Sequence, residues 1–394
     1  MPRTVDRASS SGPGAILELI RSEEATTRAQ LMRRTGLSRS TVAQRLDALV
    51  RAGYVEEVPT EESTGGRPAG MFRLNRGGGV LLVAALGARR LHTAVTDLAA
   101  APRSTRCARR DVGDGPEPLL GLVAGQFREM LAELGRDAAD VRGIGIGVPG
   151  PVEFAAGRVV SPPIMTGWDG YAVAEFFAPD YACPVAVDND VNCMALGEHR
   201  TRWPGEPHLL MIKASTGIGS GLVLGGSVHR GAQGSAGDLG HTPARPPDSA
   251  EPPECRCGNR GCVEAYAGGW ALVRDLRELG KDVGSAEDVA ALARGGDLDA
   301  RRAVRTAGRV LGQAVADAVS LLNPSVVAVG GALADAEEQL LASVREVVYQ
   351  RATPLATRDL RILRAPDDTG LTGTGCMIAD ELFSRSSVDR AVLG

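Results

Sequence analysis

Apolar positions recur at helical spacing near the start of the chain. Ile16, Leu17 and Ile20 share one face of a segment from Gly14 to Ser22, and Leu31 and Met32 mark a second short helix beginning at Thr27 or Arg28. In the following Thr35-Gly36-Leu37-Ser38, Gly36 permits a sharp turn and Ser38 is placed to cap a third helix. Val42, Leu46, Leu49 and Val50 form the expected buried stripe of that helix, which leaves Arg39, Ser40, Thr41, Gln44 and Arg45 on its outward face. Two short strand patterns, Tyr54 to Val58 and Met71 to Leu74, flank Thr64-Gly-Gly-Arg67-Pro68 and complete a winged helix-turn-helix with Arg67 at the wing tip. After a glycine-rich boundary at Asn75 to Gly79 the pattern changes. Apolar runs at Leu81 to Leu86, Leu91 to Thr96, Val141 to Val148, Val185 to Asp188, Leu209 to Ile212, Leu222 to Leu224 and Val326 to Val329, with a helical stretch over Leu119 to Leu134, predict an α/β body.

Length and composition sharpen this division. A chain of 394 residues exceeds what one hydrophobic core usually organises, and its apolar content of 43% suffices for two or three. No apolar run approaches a membrane span, the N-terminus lacks a secretory pattern, and Cys107, Cys183, Cys193 and Cys376 lack disulfide-like regularity, so a cytoplasmic location is expected. The net charge of −4 conceals an asymmetry: residues 1–76 carry 12 Arg against 9 acids, and the remainder 32 basic against 39 acidic residues. A basic head on an acidic body implies that only the head meets a polyanion, and the outward set Ser38, Arg39, Ser40, Thr41, Gln44, Arg45 and Arg67 suits phosphates and base edges of operator DNA. Lys213 and Lys281 are the only lysines, a bias spread over the chain that by itself identifies no site.

The densest chemistry lies between His241 and Glu264. His241, Cys255, Cys257 and Cys262 offer one imidazole and three thiols, with Gly258 and Gly261 allowing the chain to turn around one ion. Nitrogen and sulfur ligands favour zinc, and a closed Cys₃His set leaves no position for an activated water, so the expected Zn²⁺ is structural. Glycine-rich turns at Gly145 to Gly150, Ser215 to Gly221 and Gly330-Gly331 expose backbone N–H groups; such turns cradle phosphate or merely connect strands.

The order of these motifs resembles the ROK family of sugar kinases and repressors. The resemblance is carried by Gly145-Ile-Gly-Val-Pro-Gly-Pro151, Asp188-Asn189-Asp190-Val-Asn192 with Ala195-Leu-Gly-Glu198, Ser215-Thr-Gly-Ile-Gly-Ser-Gly221, Gly237-Asp238-Leu-Gly240-His241, and Cys255-x-Cys257-Gly-x-x-Gly-Cys262-x-Glu264. It implies an α/β actin-like (ribonuclease H-like) two-lobed sugar kinase fold behind the winged head, with a sugar held between the lobes. The expected domains are 1–76 (winged helix-turn-helix), 80–190 with a C-terminal helix 376–394 (first lobe), and 191–375 (second lobe with the zinc loop). Asn189, Asp190, Asp238, His241 and Glu264 fall at sugar-binding positions, Asp190 at the place of the kinase general base; Asp190 is also placed to cap the following helix. Asp238 stands where the family has Glu, which shortens its reach.

One departure separates the family's two branches. Kinases place an acidic residue and Gly-Thr in the first hairpin, where this chain has Ala85, Ala88 and Arg89. Loss of the acid removes a metal-organising charge, and Arg89 obstructs close approach of phosphate to the backbone, unless Arg89 and Arg90 bind a phosphate themselves. The resulting expectation is a sugar-responsive transcriptional repressor, a homodimer or dimer of dimers, whose kinase-like body is catalytically inactive. The alternative is an ATP-dependent sugar kinase resembling glucokinases; a third reading is a regulator released by a protein partner.

Overall fold

The computed structural model describes residues 12–59, 70–244, 251–336 and 338–393. The head begins with α1 (Pro13–Arg21), α2 (Arg28–Thr35) and α3 (Arg39–Arg51). Thr27 and Gln30 form a reciprocal capping box on α2, Gly36 closes that helix at φ +70°, and the Ser38 hydroxyl accepts the Thr41 N–H to start α3. Strands β1 (Val55–Val58) and β2 (Met71–Leu74) pair antiparallel. The wing tip, with Arg67, lies outside the described residues. Val42, Leu46 and Leu49 are buried as expected, whereas Val50 is 43% exposed. One residue beyond Leu49 is a rotation of about 100° around a helix, which carries Val50 off the buried stripe.

Two lobes of like construction follow. The first contains β3 (Val80–Leu86), β4 (Arg90–Thr96), β5 (Pro102–Arg109), α4 (Pro116–Glu133), β6 (Val141–Val148), the short pair β7 (Val152–Glu153) and β8 (Arg158–Val159), α5 (Val173–Phe177) and β9 (Val185–Asn189). Its sheet order is β5-β4-β3-β6-β9, antiparallel among the first three strands and parallel thereafter. The second contains α6 (Asp190–Arg202), β10 (His208–Ala214), β11 (Ile218–Leu224), β12 (Ser227–Val228), α7 (Val263–Ala267), α8 (Gly269–Glu278), α9 (Ala286–Arg294), α10 (Leu298–Leu322), β13 (Val326–Gly330), α11 (Glu338–Arg351), α12 (Pro354–Thr357) and β14 (Arg361–Arg364). Its order β12-β11-β10-β13-β14 repeats the same antiparallel-then-parallel plan. This duplication defines the two-lobed, actin-like architecture. Strands β5 and β14 escaped the sequence pattern because both lie at sheet edges: the first is largely polar and the second spans only Arg-Ile-Leu-Arg.

The C-terminal helix α13 (Thr369–Leu382) starts earlier than position 376 and packs on α6, β3 and β6. It crosses α6 at glycines: a Cβ on Gly373 would fall 1.7 Å from the Cys193 carbonyl oxygen. A last helix, α14 (Arg385–Leu393), leaves the lobe and packs on α1 of the head. There the Gly14 N–H donates to the Asp389 carboxylate at 2.8 Å, and Arg385 pairs with Glu18. Phe383 and Val388 are buried with Ile16, Leu46, Tyr54 and the β3 residues Leu81 and Val83, so head and first lobe share one apolar core. The opposite face of β3, through Leu82 and Ala84, packs with α4 residues in a separate core.

Candidate functional site

The cleft between the lobes encloses about 520 Å³, within the range of small-molecule sites. Strand β9 delivers Asp188, Asn189 and Asp190 to the ends of parallel strands β6 and β9, where open α/β sheets place their ligands. Asn189, rather than Asp190, caps α6: its Oδ1 accepts the Val191 N–H at 3.0 Å and its Nδ2 donates to the Gly150 carbonyl at 2.8 Å. Each amide atom retains one further hydrogen-bonding position, and Asp190 is free of the capping task. Burial pushes the Asp190 carboxyl above its ordinary range, against the downward pull of the Lys213 ammonium with which it pairs. Asp188 is buried beneath, accepting from the Asn189 N–H, from Asn192 and from Arg230 at 2.7–3.0 Å.

The second lobe supplies the facing wall. Glu264, in the first turn of α7, accepts the Ile218 N–H at 2.9 Å and the Trp270 indole N–H at 3.0 Å. A Cβ at 217 would lie 2.5 Å from Glu264 Oε2, so any larger residue there would displace the carboxylate. Asp238 precedes a single 3₁₀ turn that ends at His241, and both line the cleft; among the described residues the Asp238 carboxylate has no hydrogen-bond or charged partner. Thus Asn189, Asp190, Asp238, His241 and Glu264 all border one cavity. Lys213 and Arg230 were not singled out from sequence. The rarity of lysine in an arginine-rich chain was the available signal for Lys213, and nothing comparable marked Arg230.

Beside this wall, the ligand atoms of His241, Cys255, Cys257 and Cys262 all lie within 4.8 Å of one another. The Cys257 and Cys262 sulfurs are 3.7 Å apart, and His241 Nδ1 is 3.6 Å from the Cys255 sulfur. Zinc bonds of about 2.3 Å to sulfur and 2.0–2.1 Å to nitrogen in a tetrahedron require edges of roughly 3.8 and 3.6 Å, so the donor set fits that ion in chemistry and dimensions. With Nδ1 in the cluster, His241 Nε2 remains on the ring's other side. Cys262 directly precedes α7, which ties the cluster to the placement of Glu264.

At the cleft mouth, Arg89 donates to the Gly284 carbonyl at 2.8 Å and Arg90 lies 3.8 Å from Glu287, both across the gap from the β3–β4 turn to the second lobe. These arginines therefore meet protein groups of the second lobe across the cleft mouth. On the head, Arg39, Ser40 and Gln44 are exposed, while Thr41 and Arg45 are half-buried and Ser38 Oγ lies within hydrogen-bonding distance of the Ser40 and Thr41 hydroxyls. Arg45 borders the buried stripe of α3, and its Nη1 is buried without a partner among the described residues. Arg28, Arg34 and Arg73 are held by Glu57, Glu24 and Glu56, whereas Arg33 and Arg39 have no acidic partner among the described residues.

The chain belongs to the ROK family, whose model matches residues 86–381, and a winged helix-turn-helix DNA-binding model matches residues 14–56. A xylose repressor of Caldicellulosiruptor bescii is 27% identical over 388 residues, covering 94% of this chain and 95% of that protein. A glucokinase of Thermotoga maritima is 30% identical over 294 residues, covering 69% of this chain and 88% of that one. The crystal structure of a ROK family transcriptional regulator, a homologue of the E. coli MLC protein, matches with a TM-score of 0.81 and 25% identity, covering 99% of this chain and all of that one. The regulator structure covers nearly the whole chain, head included, whereas the glucokinase covers about two thirds of it. Among the described residues no helix is long and apolar enough to cross a membrane.

Proposed function

We infer that this protein is a sugar-responsive DNA-binding repressor whose kinase-like cleft senses a monosaccharide without phosphorylating it. The observation that carries the reading is the combination of a capped recognition helix whose Arg39 has no acidic partner among the described residues and a cleft whose polar groups suit hydroxyls, in one chain whose head and body share a core. The Asp238 carboxylate, without a partner among the described residues, and Glu264, fixed by Ile218 and Trp270, are acceptors for sugar hydroxyls, and His241 Nε2 faces the same task. At the Asp190–Lys213 pair, a hydroxyl donates to the carboxylate and accepts from the ammonium. Such a pair disfavours a deoxy sugar, which excludes water from both charged groups without replacing its hydrogen bonds. Zinc held by His241, Cys255, Cys257 and Cys262 would supply no reaction chemistry; those residues fix the loop that presents Asp238 and Glu264.

The rival reading, an ATP-dependent sugar kinase, is favoured by Asp190 at the start of α6 and by the Ser215–Gly221 loop. Against it stand Ala85, which brings no charge for magnesium, and Arg89, bound to Gly284 across the nucleotide side of the cleft. The operator is read by a pair of heads in a homodimer, since a two-fold site matches a two-fold protein. The test is a thermal-shift screen of free sugars and sugar phosphates, followed by assay of each hit with ATP and magnesium. A hit with no turnover supports the sensor; sugar phosphate formed at about 1 s⁻¹ or faster, the low end of ordinary enzyme turnover, establishes the kinase.

A further inference from the structure

Resting on the sugar-sensor reading, we propose that Asp380 is the positioning residue through which the effector cleft acts on the DNA-binding head. One carboxylate holds two guanidiniums from different parts of the molecule: Oδ2 accepts from Arg200 at 2.7 Å and Oδ1 from Arg21 at 3.3 Å. Arg200 sits in the last turn of α6, the helix whose first residue is Asp190 in the cleft. Arg21 is the last residue of α1 in the head. Asp380 itself belongs to α13, the helix wedged between them.

The surroundings make this joint sensitive to displacement. A helix transmits movement along its axis as a rod, and ten residues of α6 span about 15 Å between Asp190 and Arg200. Where α6 crosses α13, glycines at 197 and 373 bring the two backbones together without side chains between them. On the head side, the Arg21 guanidinium lies over the Phe383 ring, 4.7 Å from its centroid, and that ring meets Tyr54 edge-on at 5.5 Å. Tyr54 directly precedes β1 and closes the core beneath α3. A sugar bound at Asp190 pulls on the start of α6 and shifts Arg200 relative to Asp380. The carboxylate then redistributes between its two partners, and Arg21, with it α1, changes position. The pairs are partly exposed, and exposed ion pairs add little to stability, so Asp380 is removable without loss of the fold.

The test compares operator affinity with and without sugar in the full chain. The duplex is one selected by the native protein from a random-sequence library, and the sugar is whichever of D-xylose, D-glucose and N-acetyl-D-glucosamine most raises the native melting temperature. In Asp380→Asn the ratio of the two affinities is expected to move toward unity by about 2- to 30-fold, the range found for residues on a coupling route. Sugar affinity, sugar-free DNA affinity and melting temperature stay near native values, which a merely structural role would not allow. An unchanged ratio overturns the proposal. If Asp380→Asn loses sugar-free DNA binding, Arg200→Met decides, because it leaves the Arg21 contact in place: a lost response supports the route, and a native response overturns it. Arg200→Lys, which keeps the charge, should respond more strongly than Arg200→Met, and equal responses count against the ion pair. A native protein that binds sugar with no change in DNA affinity defeats the sensor reading itself and the coupling with it; a responsive native protein with a responsive Asp380→Asn defeats the coupling alone.

Discussion

At the scale of single residues, the cleft depends on a few polar groups whose partners are already assigned. Asp190→Asn replaces an acceptor-only carboxylate by a mixed donor and acceptor, and should weaken sugar binding by about 10- to 100-fold, the worth of one hydrogen bond to a charged group. Isothermal titration with the sugar that stabilises the native protein measures this; an unchanged affinity removes Asp190 from the site. Lys213→Met tests the other half of the pair through pH. Burial holds the Asp190 carboxyl above its ordinary value, so its protonation favours the folded state. That contribution is complete at pH below the unfolded value and is lost as pH rises through the folded value. Removing the ammonium raises the folded value further, so the variant should lose more melting temperature near pH 7 than near pH 4, and an equal loss at both would contradict the ion pair. Cys257→Ser should release the metal and blunt the sugar response together, because the cluster leads directly into the α7 turn that bears Glu264; metal analysis beside a thermal-shift titration checks both.

At the scale of elements, the head was the most legible part of the sequence. Helical periodicity, the Ser38 cap and the Gly36 turn each have a local cause, and local causes survive folding. Leu46 is fully buried at the centre of α3, so Leu46→Ala should cost about 2–5 kcal/mol through the cavity it leaves, as measured by chemical denaturation. Arg39→Ala removes a cation that has no acidic partner among the described residues and should weaken DNA binding at low salt while leaving stability within about 0.5 kcal/mol of native. The cleft residues were recognised through the order of their motifs, since no local pattern tells that Asp238 and Asn189 face each other across two lobes. What remained illegible is tertiary. Pairing of Lys213 with Asp190, the reach of Arg89 to Gly284 and the docking of α14 on α1 are long-range contacts that leave no periodicity in the chain.

At the scale of the whole molecule, the two lobes repeat one sheet plan around the cleft, and the head is joined to the first lobe through α13 and α14 by a common core rather than tethered by a loose linker. That continuity is what allows a small ligand in the body to alter a DNA contact made by the head, provided the ligand binds the two arrangements with different affinity. The fold shared with sugar kinases supplies the cleft, while Arg89 and Arg90 reach across its mouth to Gly284 and Glu287. The most direct measurement is a fluorescence anisotropy titration of the selected operator duplex at fixed salt, with and without the stabilising sugar. The account predicts that the sugar shifts the dissociation constant by about 5- to 150-fold, the usual span of allosteric coupling, in the absence of ATP. Superimposable curves, together with sugar phosphate formation once ATP and magnesium are supplied, would contradict it.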